Sequence, residues 1–114
     1  MPRLPQVFAV SNGGHDFSTA EQFGPVTFLS IGAINKFQVC EMAREFSAIL
    51  AFSSREDYLI PNGPTTMSCI ACSIMAVLHG RLNLLLWKKG ACTGEDKYER
   101  RILDLTQLLE GILR

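Results

Sequence analysis

The sequence predicts a small α/β domain built on a mainly parallel sheet, and three observations support this. Apolar runs typical of strands alternate along the chain with segments of helical spacing, which is the element order of parallel α/β sheets. The strand runs are continuously apolar, as in strands covered on both faces. The chain has 114 residues, of which 47% are hydrophobic and 19% charged, as expected for one folded domain.

We therefore predict a single α/β domain over residues 1–114. It is expected to be a small three-layer, Rossmann-like domain with about four mainly parallel strands, an antiparallel edge strand and helices on both faces.

The first predicted β-helix-β unit occupies the amino-terminal part of the chain. Residues 6–11 form an apolar run that stops at a cluster of turn-forming residues, and they predict the first strand. Ser18 and Glu21 have the spacing of a capping box, which predicts one or two helical turns. Residues 26–31 are rich in β-branched and aromatic side chains and predict the second strand.

Two longer helices and a short strand are predicted in the middle of the chain. Residues 35–52 carry apolar side chains at three- and four-residue spacing, which predicts an amphipathic helix. Residues 57–60 predict the third strand. Thr65 or Thr66 is expected to cap the next helix, at 67–78. This helix is apolar nearly all round, so we expect it to be central or at an oligomer interface. Its small side chains favour close packing in a homo-oligomer: Ser68, Cys69, Ala71, Cys72 and Ala76.

The carboxyl-terminal part predicts a hairpin and a last helix. Residues 82–87 read as a fourth buried strand, and the alternating pattern of 98–105 predicts an edge strand antiparallel to it. The last helix is indicated by a stripe at helical spacing: Leu105, Leu108, Leu109 and Ile112.

Charge and hydropathy exclude some partners. Eleven basic and eleven acidic residues give zero net charge, which argues against nucleic acid and anionic membrane surfaces as partners. The longest apolar stretch, residues 69–78, is too short for a bilayer, which needs about 20 residues. The first residues lack the pattern of a secretory signal, and we expect a cytoplasmic location.

Two loops are candidates for a ligand site. They follow the first and third predicted strands, and ligands of parallel α/β sheets bind at the carboxyl ends of the strands. Glycines permit close backbone approach, and helix N-termini with hydroxyl side chains suit an anion such as phosphate. The candidate binding residues are Asn12, Gly13, Gly14, Ser18, Asn62, Gly63, Thr65 and Thr66. Neither loop matches an established phosphate-binding motif, so ordinary turns and caps are the alternative.

The first loop also contains the candidate catalytic residues. His15 and Asp16 place an imidazole beside a carboxylate, and they are candidates for general acid or base chemistry on a ligand in the same cleft. The alternative is a loop histidine with local hydrogen bonds beside an aspartate that accepts from nearby backbone.

The cysteines do not predict a metal or redox site. Cys69 and Cys72 form a C-x-x-C pair inside a predicted apolar helix rather than at its exposed start, so we interpret them as buried small hydrophobic residues. A zinc site would need a second paired motif, which the sequence lacks. We predict no metal site, and these patterns identify no cofactor.

Three functional hypotheses follow. The leading one is a small cytoplasmic domain that binds an anionic ligand, such as a nucleotide or phosphorylated metabolite. The first alternative is a protein-interaction, accessory or inhibitory module that acts through the small-residue helix, the hairpin or the carboxyl-terminal stripe. The second is a hydrolase or transferase that uses His15 and Asp16.

Overall fold

The computed structural model describes residues 4–12, 17–30, 37–90 and 96–113 of the chain. Its helices and strands are, in chain order, β1 (Val7–Ser11), a 3₁₀ helix (Ser18–Phe23), β2 (Val26–Ser30), α1 (Val39–Leu50), β3 (Tyr58–Ile60), α2 (Thr65–His79), β4 (Arg81–Lys88), β5 (Lys97–Asp104) and α3 (Leu105–Leu113). The molecule is thus an α/β domain.

The five strands form one mixed sheet in the order β2-β1-β3-β4-β5. β1 pairs in parallel with β2 and with β3, and β3 pairs in parallel with β4. β5 pairs antiparallel with β4 along its full length, from Arg81 opposite Asp104 to Lys88 opposite Lys97. The predicted antiparallel edge strand is confirmed.

Two apolar clusters lie on opposite faces of the sheet because side chains alternate along each strand. Phe8 and Val10 of β1 face the cluster that contains the buried side chains of α1 and α2, such as Phe46 and Met75. Val7 and Ala9 face the second cluster, which contains Ala20 of the 3₁₀ helix. The strand order explains this division of the helices. The chain leaves β1 towards one edge of the sheet to form β2, and it then crosses back past β1 to form β3 and β4. Because connections between parallel strands are right-handed, connections that run in opposite directions lie on opposite faces of the sheet.

The two faces are covered unequally, which corrects the three-layer prediction. α1 and α2 pack on one face, whereas a six-residue 3₁₀ helix takes the equivalent place on the other. None of the side chains of α3 is buried, although the structure describes that helix from Leu105 to Leu113. The structure therefore supports an α/β domain with a mixed sheet, and a Rossmann-like arrangement is not established.

Both predicted helix caps are wrong. Ser18 is the first residue of the 3₁₀ helix, and Phe17 occupies the N-cap position without a side-chain hydrogen bond. Thr65 is already the first residue of α2, because Pro64 takes the N-cap position with extended backbone angles, φ −57° and ψ 142°. Pro64 has no side-chain acceptor, so α2 begins without the side-chain cap that the sequence predicted.

A buried polar network joins the amino ends of the central strands. The Asp57 carboxylate, 1% exposed, accepts hydrogen bonds from the backbone N–H of Gln6 (2.9 Å) and of Ser54 (2.8 Å). The buried Asn83 amide donates to the Asp57 carbonyl (3.2 Å), and the Nε of Arg81 donates to Asn83 Oδ1 (3.0 Å). No buried side-chain nitrogen or oxygen in the described residues lacks a partner. The amino edge of the sheet is therefore a satisfied structural network.

Candidate functional site

The strand order places the starts of the two candidate loops next to each other. β1 and β3 are neighbours in register, with Ala9 opposite Ile60, so the segments that follow them leave the same edge of the sheet side by side. The chain moves outward from β1 to β2 on one side and from β3 to β4 on the other. A parallel sheet opens a crevice at such a switch of direction, and ligands bind outside the carboxyl ends of the strands there.

Asn62 ties these two strand ends together. Its Oδ1 accepts from the backbone N–H of Ser11 (3.1 Å), and its Nδ2 donates to the Ser11 carbonyl (2.6 Å). The side chain therefore extends the pairing of β1 and β3 beyond their backbone ladder. We assign Asn62, a candidate ligand residue in the sequence, to the scaffold of the site.

Replacing Asn62 with Ala should lower the free energy of unfolding by about 1–3 kcal/mol, because the backbone N–H and carbonyl of Ser11 both lose their partly buried hydrogen bonds to the Asn62 amide. Urea denaturation followed by circular dichroism measures this loss. Thr65→Ala, at an exposed neighbouring position, is the control and should change stability by less than about 0.5 kcal/mol. Equal stability of the two variants would contradict the scaffold role.

Gly63 permits the close approach of the turn after β3 to the end of β1. Its φ of +87° is in the left-handed region, and a Cβ at this position would lie 3.0 Å from the Cβ of Ser11. The predicted role of Gly63 in the close approach of backbone to a ligand stays a prediction, and the approach that the structure gives is to the Ser11 side chain of the neighbouring strand.

The N-terminus of α2 opens at this same edge. Thr65 and Thr66 are exposed, and neither Pro64 nor any other described side chain caps the helix. The Ser68 N–H bonds the Pro64 carbonyl (3.1 Å), so intrahelical bonding begins only at Ser68. The first turn carries no acidic residue. The N–H groups of the first turn and the positive end of the helix dipole thus lie at this edge, and no carboxylate within the first turn offsets them.

The loop after β1 is described only at its ends. Asn12 lies exposed just beyond β1, and Ser18 is exposed at the start of the 3₁₀ helix. The other candidates in this loop lie outside the described residues: Gly13, Gly14, His15 and Asp16. The hypothesis of catalysis by His15 and Asp16 therefore stays a prediction.

A small cavity adjoins the crevice. It has a volume of about 230 Å³, and its lining includes Asn62, Gly63, Trp87 and Tyr98. The two aromatic rings pack edge to face across β4 and β5, with centroids 4.9 Å apart. The sequence does not indicate that these two residues lie near the site, because only the strand order shows that β4 adjoins β3. The cavity is smaller than the roughly 300–1,000 Å³ of drug-sized ligand sites.

The amino edge of the sheet holds a second polar cavity, with a volume of about 220 Å³. Arg81 and Arg100 line it together with Glu56, Tyr58 and Asn83. It lies at the opposite end of the strands from the two loops and is therefore a useful comparison site for any anion.

The cysteines differ from their prediction. Cys69 is exposed and only Cys72 is half-buried, so burial of both thiols is wrong. The reason is that α2 is covered on one side only, where Met67, Ala71 and Met75 pack. Burial and the nearby Cys69 raise the pKa of the Cys72 thiol. Among the described residues, no group of His, Cys, Asp or Glu side chains could hold a metal ion.

Comparison with known proteins gives one family. The family model described as Phage Pam3 gp32-like protein matches residues 5–100, which extend from just before β1 into β5. No curated protein and no solved structure gives a significant match. In the part of the chain that the structure describes, no helix is long and apolar enough to cross a membrane.

Proposed function

The chain belongs to the family of phage Pam3 gp32-like proteins, and we propose that it is a binding domain for a small phosphate-bearing ligand at the carboxyl edge of β1 and β3. The ligand's anionic group would lie against the first turn of α2.

The observation that carries this proposal is the uncapped N-terminus of α2 at the switch point of the sheet. Fifteen-residue α2 has no side-chain cap from the described residues and no acidic residue in its first turn. Helices normally satisfy these N–H groups with a cap, water or a ligand, and an anion at this position gains from both hydrogen bonds and the helix dipole.

The surroundings indicate how the ligand would be held. The N–H groups of Thr65, Thr66 and Met67 are the donors of the first turn, and the two exposed threonine hydroxyls are further donors. Asn12 and Ser18, exposed at the two ends of the other loop, are candidates for contacts from the opposite side. Asn62 and Gly63 hold the crevice in shape through Ser11.

The size of the adjoining cavity bears on the ligand class. About 230 Å³ beside Trp87 and Tyr98 accommodates a small group attached to the phosphate. The proposal therefore favours a small phosphorylated metabolite over a whole nucleotide bound inside the cavity.

Thr66→Asp tests the proposal, because it places a fixed carboxylate in the first turn of α2. We expect the free protein to become more stable by about 0.3–1 kcal/mol and the ligand to lose its binding, since the new charge occupies the anion's place. A thermal-shift screen with inorganic phosphate, phosphorylated metabolites and nucleotides measures both effects. A ligand at roughly 100 times its Kd should stabilise the wild-type protein by about 2.7 kcal/mol.

Gln107→Asp is the matched control, because it adds the same charge at an exposed position of α3. It should leave the ligand-induced shift unchanged. A ligand-induced shift that is equally large in Thr66→Asp would place the ligand elsewhere. The absence of any shift in wild-type protein would count against small-ligand binding.

A second candidate function, a protein-interaction module, is favoured by a different observation. α3 has no buried side chain, and it exposes Leu109 (55%) and Ile112 (77%) to solvent. The hydrolase or transferase hypothesis depends on His15 and Asp16, and no observation on the described residues favours it.

A further inference from the structure

We infer that two copies of this chain associate by reciprocal docking, in which α3 of each copy lies in the groove between α1 and α2 of the other. This inference is independent of the proposed ligand site, because it uses another face of the molecule.

α3 buries no side chain against the rest of its own copy, so it lacks the packing that normally stabilises a short helix. It has nine residues and none of their side chains is buried. Isolated helices shorter than about 12–15 residues are marginal in water, and most helices in proteins are stabilised by packing of an apolar face. Four apolar side chains at helical spacing are 48–77% exposed: Leu108, Leu109, Ile112 and Leu113. α3 therefore needs a partner surface.

The groove between α1 and α2 is an apolar surface that matches the apolar face of α3. It has a volume of about 450 Å³ and is lined by Ser47, Ala51, Ser73, Ile74, Val77 and Leu78. Val77 is 86% exposed. α2 carries no Asp, Glu, Lys or Arg along its fifteen residues. Depletion of charged residues around an apolar centre is typical of interfaces and unusual for a solvated helix face.

A chain of hydrogen bonds links the carboxyl-terminal ends of α1 and α2, the two helices that form this groove. The Ser53 hydroxyl donates to the Leu50 carbonyl at the end of α1 (2.6 Å), so its oxygen accepts from Nε2–H of His79 at the end of α2 (2.7 Å). The two helix ends are thereby held together. The groove is thus a preformed surface, which lowers the cost of docking a helix.

A second copy is the occupant that covers both surfaces at once. No residue of α3 lines the groove of its own copy. In its own copy, α3 begins beside Gly80, whose carbonyl accepts a hydrogen bond from the Leu105 N–H (3.0 Å). Exchange of α3 between two copies removes both helices and both grooves from water in one closed, two-fold arrangement.

The area suits a weak dimer. A helix of nine residues is about 14 Å long and about 10–12 Å wide, so half of its cylindrical surface covers roughly 200–250 Å². With a similar area for each groove, two helices and two grooves would bury on the order of 900 Å² in total, the size of weak or transient interfaces. We expect a reversible dimer of low affinity.

Sedimentation equilibrium of the full chain tests the inference. The wild-type protein should reach twice the 12.6 kDa mass of one copy as its concentration rises. Leu109→Asp on α3 and Val77→Asp in the groove should each raise the dimer Kd by roughly 100-fold or more, because each buries a carboxylate in an apolar contact. Gln107→Asp, on the polar side of α3, should dimerise like wild type. Because all three positions are exposed, circular dichroism should show that every variant is folded.

A mixture of the two variants identifies the arrangement. Val77→Asp retains an intact α3 and Leu109→Asp an intact groove, so their 1:1 mixture should form a heterodimer through one restored contact, detectable by native mass spectrometry. A Val77→Asp variant that still dimerises would show instead that α3 packs against α3. A Leu109→Asp variant that still dimerises would show a contact without α3. Either result, or a wild-type chain that stays monomeric at the highest measurable concentration, overturns the inference.

Discussion

Asp57→Ala should lower the free energy of unfolding by about 3–5 kcal/mol, the largest loss that we expect from one substitution. The carboxylate is 1% exposed and accepts from the Gln6 N–H (2.9 Å), the Ser54 N–H (2.8 Å) and the Ser54 hydroxyl (3.3 Å). Hydrogen bonds to a charged acceptor contribute more than neutral ones, and alanine would leave two backbone donors without a partner. Urea denaturation monitored by circular dichroism measures the loss.

Two further variants separate this network from a general effect of charge. Asp57→Asn retains one acceptor oxygen at the same volume and should lose about half as much stability as Asp57→Ala. Glu56→Ala removes a charge from the exposed neighbouring position and should cost less than about 0.5 kcal/mol. A loss below about 1 kcal/mol for Asp57→Ala would contradict the structural role of the network.

Gly24→Ala should lower the free energy of unfolding by about 2–4 kcal/mol. Gly24 has a φ of +151°, and a Cβ there would lie 2.2 Å from the carbonyl oxygen of Pro5. Both groups are backbone, so no side chain can turn away to relieve the contact. The turn before β2 would have to move from the segment before β1, where the Val7 N–H donates to the Pro25 carbonyl (2.9 Å).

Gly111→Ala is the matched control for this substitution. No atom lies within 4 Å of a Cβ built at Gly111, in the interior of α3. Alanine there should stabilise the helix by about 0.5–1 kcal/mol, because glycine is a poor helix former. Thermal unfolding of the two variants should therefore shift in opposite directions. A shift of the same sign and size in both would contradict the close approach at Gly24.

The apolar pattern predicted the strands and helices along the chain, but it did not predict which strands pair with each other in the sheet. Continuous apolar runs predicted β1 to β4, and the alternation of 98–105 predicted the antiparallel edge strand. No local pattern indicates that β2 lies at one edge with β1 between it and β3. That order sets the ends of β1 and β3 side by side, and within the described ranges it leaves a 3₁₀ helix as the one helix on the second face.

Side-chain roles at the site depended on contacts distant in the sequence. Asn62 was a ligand candidate because it follows a strand, yet its amide bonds Ser11, 51 residues away. Thr65 or Thr66 was predicted as a cap from residue type alone, whereas Pro64 takes the N-cap position and both threonines lie inside the helix. Asp57 was predicted only as part of a strand. A carboxylate that opens an apolar run was a signal of a buried acceptor, but its donors could not be read from the sequence.

The apolar stripe of α3 was predicted, but the surface that covers it was not. The spacing of Leu105, Leu108, Leu109 and Ile112 correctly predicted an amphipathic helix. Periodicity indicates that one face avoids water, but it does not indicate which surface covers that face. Within one copy of the chain, that face remains exposed.

An NMR titration of ¹⁵N-labelled protein with inorganic phosphate and small phosphorylated metabolites locates an anion at the carboxyl edge of the sheet residue by residue. We expect the largest amide shifts at Gly63, Thr65, Thr66 and Met67, and we expect Thr66→Asp to abolish them. Shifts concentrated around Arg81 and Arg100, which line the cavity at the opposite edge, would contradict the proposed anion site, as would a spectrum that no phosphate compound changes.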